Sequence, residues 1–373
     1  MGKHAFLSAS SSHRWLNCPP SARLSESYAD KISNYAAEGT DAHTLCEYKV
    51  RTALGITARD PTNDLSYYCE EMEECANDYA SFILELVEAA KEKCSDPLVL
   101  IEQRLDFSRY VKDGFGTGDC VVIADERLHI VDYKHGQGVL VEAENNPQMK
   151  LYTLGALEMF DGIYDIDTVS MTIYQPRRSN ISTCTIPKES LYQWANEFLK
   201  PTAELAFAGE GNFKCGEWCR FCKAKHACRT RAEYNMELAK YDFNLPPLLD
   251  DIEVEDILGK IDGLISWASD IKDYALQTAV SGKQWNGWKL VEGRSNRKYT
   301  DQAAVAKTVS TEGFDPYQKK LLGITAMTSL LGKKQFEEIL GSYIEKPPGK
   351  PTLVPESDKR PPINTAQNDF SEI

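Results

Sequence analysis

Three short apolar runs, 98–102, 119–123 and 128–134, restrict the fold of this chain more than any other feature. They read Leu98-Val99-Leu100-Ile101-Glu102, Asp119-Cys120-Val121-Val122-Ile123 and Leu128-His129-Ile130-Val131-Asp132-Tyr133-Lys134. Short apolar stretches bounded by glycine and charge are typical of central strands covered on both faces. Only a short charged turn separates the last two, so they are expected to pair antiparallel. A helix is predicted from Asn146-Pro147 to about Met159, because Asn is a good N-cap and proline is well tolerated at the first helical position. A further strand is expected at 168–174, and helices at about 38–52 and 66–93 precede the block. Helices, three strands, a helix and a strand in that order describe an α/β fold.

Residues 187–209 read as helical, and a cysteine-bearing segment occupies 215–228. After about 250 the pattern becomes mainly helical, with 252–278 the clearest helix and a hairpin expected at 287–293. From about Lys346 the chain is rich in proline and lysine, which predicts a disordered tail over 346–373. No run of eighteen apolar residues occurs, so no membrane partner is expected. The N-terminus lacks the apolar stretch of a secretory signal, and a cytoplasmic protein is the expectation. A net charge of −14 argues against a protein that coats nucleic acid non-specifically. Contacts to DNA would then come from a local basic patch, and Lys214, Arg220, Lys223, Lys225, Arg229 and Arg231 form the densest one. No phosphate-binding Gly-x4-Gly-Lys-Ser/Thr loop occurs, so any helicase activity would have to come from a partner.

The chemistry concentrates in the strand block. Gly118-Asp119 opens one strand and Asp132-Tyr133-Lys134 closes the next, which would place two carboxylates and an ammonium in one small volume. Two close carboxylates repel unless a cation compensates, and hard oxygen ligands favour Mg2+ or Mn2+. Gln148 and Tyr152 follow four residues apart, on one face of the predicted helix.

Taken together, Asp119, Asp132-Tyr133-Lys134 and Gln148-x-x-x-Tyr152 resemble, in order, the motifs of RecB-like nucleases of the PD-(D/E)XK superfamily. Upstream, Gly39-Thr40-Asp41-Ala42-His43 resembles the Gly-x-x-x-His helix of that family, and Glu102 is a weaker match to its first acidic position. The resemblance implies a restriction-endonuclease-like core, a mixed central sheet flanked by helices. It also implies that His43, Asp119, Asp132 and the Tyr133 backbone carbonyl are metal ligands. Lys134 would be the catalytic lysine, with Gln148 and Tyr152 steadying the site. The family commonly has Thr or Ser after the lysine, where this chain has His135-Gly136.

The eleven cysteines are an odd number in a chain read as cytoplasmic, which speaks against a disulfide framework. Cys219, Cys222 and Cys228 form a Cys-x2-Cys-x5-Cys set, which needs a fourth ligand to hold a metal centre. Cys215 and His226 are near enough in sequence to complete a structural zinc site. The resemblance offers a different answer. AddB-type and CRISPR-associated RecB-like nucleases hold a [4Fe–4S] cluster with one cysteine before the core and three after it. The stretch from Ser8 to Pro19 resembles their N-terminal element, which would make Cys18 the fourth ligand, closing a loop of roughly two hundred residues.

The resemblance therefore divides the chain into a nuclease domain at 1–235, a mainly helical module at 236–345 and the tail. It implies a Mg2+- or Mn2+-dependent deoxyribonuclease, an exonuclease on single-stranded DNA ends. It also suggests phage DNA replication or recombination in a bacterial host, with a helicase, single-strand-binding or recombination protein as partner. A catalytically silent DNA-binding or recombination accessory protein and a structure-specific endonuclease are the alternatives.

Overall fold

A computed structural model describes residues 5–28, 34–238, 249–292, 299–317, 321–345, 352–354 and 358. It contains two units, Met1–Leu290 and Val291–Ile373. Two short helices, α1 (Ser12–Asn17) and α2 (Ser21–Glu26), are followed by the long α3 (Asn34–Ala53) and α4 (Glu70–Lys91). Then come strands β1 (Leu98–Asp106), β2 (Phe115–Ala124) and β3 (Glu126–Tyr133), helix α5 (Pro147–Phe160), and strands β4 (Ile166–Gln175) and β5 (Asn180–Pro187).

The five strands form one mixed sheet in the order β1-β2-β3-β4-β5. β1, β2 and β3 pair antiparallel, β3 and β4 pair parallel, and β4 and β5 pair antiparallel. The parallel step follows from the connection, since a parallel neighbour needs a long crossover and α5 supplies it. Helix α5 starts where its cap predicts, with the Asn146 side chain accepting from the backbone N–H groups of Gln148 and Met149.

Side chains of a strand alternate between faces, and both faces of this sheet are covered. Val121, Ile123, Leu128, Ile130, Val169, Met171 and Ile173 pack with Leu151 and Leu154 of α5 and with Leu7 and Trp15 of the N-terminal segment. Cys120, Val122, Val131, Tyr133 and Tyr174 pack against Ala42, Leu45 and Val50 of α3 and Met72, Tyr79 and Ile83 of α4. That double cover is why the strands read as unbroken apolar runs.

β5 has no counterpart among the sequence expectations. Its hydroxyls explain the omission: Thr183 and Thr185 pair at 2.8 Å with Thr172 and Ser170 of β4, and Ile181 is exposed. A strand with a polar ladder on one face carries no apolar run.

Beyond the sheet lie α6 (Lys188–Trp194), α7 (Lys200–Ala208), α8 (Arg229–Met236), α9 (Asp251–Leu258) and α10 (Ile261–Val280). The helix expected over 252–278 is thus two, divided at Gly259–Lys260. The hairpin expected at 287–293 is not formed, since 287–292 carry no strand, and Gly293 lies outside the described residues. The first unit extends to Leu290, whereas the motif-bearing stretch ends near 235. In the second unit, α11 (Gln302–Thr311), α12 (Ile324–Leu331) and α13 (Lys333–Leu340) are helical, in keeping with a C-terminal helical module. The tail expected over 346–373 lies outside the described residues except at 352–354 and 358.

Candidate metal centre and cysteine cavity

Strand register lines up three carboxylates. Cys120 of β2 pairs with Val131 of β3, so Asp119 and Asp132 sit one residue further along their strands, across from each other. On the other side, Ile101 pairs with Cys120 and Gln103 with Gly118, which sets Glu102 opposite Asp119. Glu102 is held at φ +52°, the left-handed region that a non-glycine residue in a strand rarely occupies. Strain of this kind persists only where the surroundings over-determine it, and it clusters at functional sites.

Helix α3 adds His43, whose Nδ1 lies 3.2 Å from Asp119 Oδ1. The other Asp119 oxygen accepts the Tyr133 backbone N–H at 2.7 Å. One donor atom each from His43, Glu102 and Asp119 lies within 4.8 Å of the other two, which makes this trio able to hold a metal ion. Asp132 is outside that group. Its Oδ1 accepts from the Gln148 amide at 3.0 Å, and its Oδ2 has the Lys134 ammonium at 2.8 Å. Lys134 also donates to Gln148 Oε1 at 3.2 Å, and the Gln148 amide reaches the Tyr152 hydroxyl at 3.2 Å. The structure thus brings His43, Glu102 and Asp119 into one set and Asp132, Lys134, Gln148 and Tyr152 into an adjoining one. Gly116 makes room for the second set, because a Cβ there would lie 2.6 Å from the Tyr152 ring.

The electrostatics describe a site short of positive charge. Burial, with the Asp119 charge added, pushes Glu102 up to about 7. Burial also opposes a charge on His43, but the neighbouring Asp119 carboxylate prevails and raises the imidazole to about 9. For Asp119, burial is outweighed by His43, the Tyr133 N–H and Lys134, and its carboxyl is held down. Asp132 moves up, through burial and the Asp119 charge against the pull of Lys134. Two oxygen ligands and an imidazole in a half-buried cluster fit a hard or borderline divalent cation.

A second locus forms where the chain returns to its start. Cys18, at the end of α1, lines one cavity with Cys219, Cys222 and Cys228. Arg14, Lys225 and Arg231 line it too, cations suited to thiolates. Cys215 and His226 do not line it. The Cys215 sulfur is 3.9 Å from that of Cys219, a contact that pushes Cys219 down to about 6, and the His226 ring is stacked on Tyr274. All eleven cysteines are unbridged.

The basic patch expected for DNA is smaller than its sequence suggests. Arg231 is 4% exposed and bonds Asp270 of α10 at 2.6 Å, and Lys225 pairs with the same carboxylate at 2.8 Å. Lys214, Arg220, Lys223 and Arg229 are exposed. Among the described residues, no helix is long and apolar enough to cross a membrane.

A family profile described as "Protein of unknown function (DUF2800)" matches residues 4–361. A solved structure described as "Crystal structure of SSO0001" aligns over 52% of this chain and 98% of its own, at 12% identity and a TM-score of 0.22. A likeness that faint supports no argument about fold or function.

Proposed function

Since the chain belongs to the DUF2800 family of proteins of unknown function, its activity has to be read from its own residues, and we propose that it is a metal-dependent deoxyribonuclease with a RecB-like PD-(D/E)XK core. The observation that carries this reading is the row Glu102, Asp119 and Asp132 across three strands, with His43 against Asp119 and Lys134 against Asp132. Lys134, held 2.8 Å from the buried Asp132, adds the cation that phosphodiester cleavage would use.

His43, Glu102 and Asp119 would hold Mg2+ or Mn2+, with Asp132 and the Tyr133 carbonyl as the further ligands that the resemblance implies. When bound, the cation supplies Lewis acidity and lowers the pKa of a coordinated water. Lys134 provides a fixed positive charge where negative charge builds on the phosphate. Gln148 keeps that ammonium in place by accepting from it while donating to Asp132, so the charge is positioned before substrate arrives. The substrate class proposed is DNA with single-stranded ends, cut by an exonuclease. The cysteine cavity is proposed to hold a [4Fe–4S] cluster on Cys18, Cys219, Cys222 and Cys228, which would tie the two ends of the nuclease domain together.

The test is an assay on anaerobically purified protein with end-labelled single- and double-stranded DNA in Mg2+, Mn2+ or EDTA. Cutting that needs the metal and disappears in Asp132→Ala is the expected result. Binding without cutting under every condition would overturn the reading in favour of an accessory DNA-binding protein.

A further inference from the structure

The metal trio is not held together by the sheet alone. Glu102 and Asp119 are fixed opposite each other by the β1–β2 ladder, but His43 arrives from α3. Ala42, Leu45, Cys46 and Val50 of that helix pack into the core. That buried face sets the rotation of the helix, whereas apolar burial is non-directional and holds its register along the axis less tightly. Polar contacts add to that hold.

Such contacts exist at Glu38, five residues and about 7.5 Å of helix rise before His43. Arg177, in the turn Pro176–Arg178 that ends β4, donates from one nitrogen to Glu38 Oε1 at 2.9 Å. From another nitrogen it donates to Glu71 Oε2, at the start of α4, at 3.0 Å. The same Glu38 oxygen lies 3.5 Å from His135 Nε2. His135 is 5% exposed, and its Nδ1 is 2.9 Å from the Tyr133 hydroxyl. A neutral imidazole protonated on Nε2 suits both contacts, with the Tyr133 hydroxyl donating to Nδ1 and Nε2–H facing Glu38. Tyr133 closes the circuit, because its ring meets that of His43 edge-on at 5.6 Å and its backbone N–H holds Asp119.

We infer that Arg177 is a positioning residue, which holds helix α3 through Glu38 in the register that presents His43 to Glu102 and Asp119. This rests on the metal-site reading above and adds residues that the resemblance does not contain. His135 stands in the place where RecB-like nucleases commonly have Thr or Ser, and its side chain faces inward, towards the helix. A guanidinium suits the role better than an ammonium, because its planar fork serves two carboxylates from separate nitrogens.

The test measures Mn2+ affinity by electron paramagnetic resonance, without DNA, in wild type, Arg177→Ala, Glu38→Gln, His43→Ala and the double variants with His43→Ala. Thermal melts in EDTA run alongside. Loss of a group that orients a ligand costs about 10- to 100-fold in metal affinity; that loss is expected for Arg177→Ala, and a smaller one in the same direction for Glu38→Gln, which keeps the acceptor but not the charge. Neither substitution should weaken Mn2+ binding further in the His43→Ala background, because both act through His43. A purely structural role would instead lower the melting temperature and leave affinity alike in both backgrounds, which would overturn the inference. Glu38→Gln preserves size and one acceptor, so it answers the question even where Arg177→Ala does not fold. Unchanged affinity in Arg177→Ala and Glu38→Gln, with wild type binding Mn2+, sinks the positioning role alone. Absence of Mn2+ binding in wild type sinks the metal site and this inference with it.

Discussion

Glu102, at φ +52° inside β1, stands opposite Asp119 and shares one cluster with it and His43. As the last residue of an apolar run it carried a weak motif match, and nothing in its neighbours announces φ +52° or its place opposite Asp119. Asp119, Asp132 and Lys134 were legible because strand ends can be counted along a sequence, whereas the grouping of Glu102 with His43 and Asp119 arises across strands and a helix. The protonation of this trio makes a prediction. At pH 7, His43, raised to about 9, carries a proton that a metal ligand has to lose, and Glu102, pushed up to about 7, holds part of one. Cation binding is therefore expected to release about one proton from His43 and a fraction of one from Glu102. Mn2+ titration calorimetry at pH 7, in buffers of different ionisation enthalpy, measures that number. His43→Ala should remove the larger part. Without metal the sign is opposite to that of a buried neutral histidine: the His43–Asp119 contact stabilises fully below the unfolded pKa of about 6.5 and is lost as pH rises through about 9.

At the scale of elements, long runs and strong punctuation were readable. α3, α4, β1 to β4 and α5 stand where periodicity and capping put them, with β2 starting four residues earlier than its apolar run, at Phe115. That early start places Gly116 inside the strand, under the Tyr152 ring. Gly116→Ala is expected to force Tyr152 aside and to cost about 1–3 kcal/mol, as overpacking does. Urea denaturation checks the magnitude. An unchanged midpoint would mean that α5 can lift from β2 freely. β5 escaped a reading based on apolar runs because its exposed face carries Thr183 and Thr185, which alternate with the partly buried Ser182, Cys184 and Ile186, and the division between α9 and α10 occurs at a glycine that periodicity passes over.

For the whole molecule, the cysteine cavity joins residues about two hundred positions apart, and α10 is fastened to it through Asp270, Lys225 and Arg231. The cavity belongs to a first unit that runs to Leu290. With a cluster bound, Cys222→Ala is expected to abolish absorption near 400 nm and to lower the melting temperature of the anaerobically purified protein, because that clasp is lost. Full colour and an unchanged melt would refute the ligand set. The sequence by itself determined the α/β order, the antiparallel central pair, the start of α5 and the residue types available for metal chemistry. Each of these depends on spacing, capping and burial periodicity within a few residues. Only the tertiary structure decided that Glu102 joins His43 and Asp119, that Asp132 is engaged by Lys134 and Gln148, and that Arg231 serves Asp270 rather than solvent. Those outcomes depend on strand register, on the pose of α3 and on which charges burial brings within hydrogen-bonding distance, and no local stretch of sequence encodes a distance between residues far apart along it.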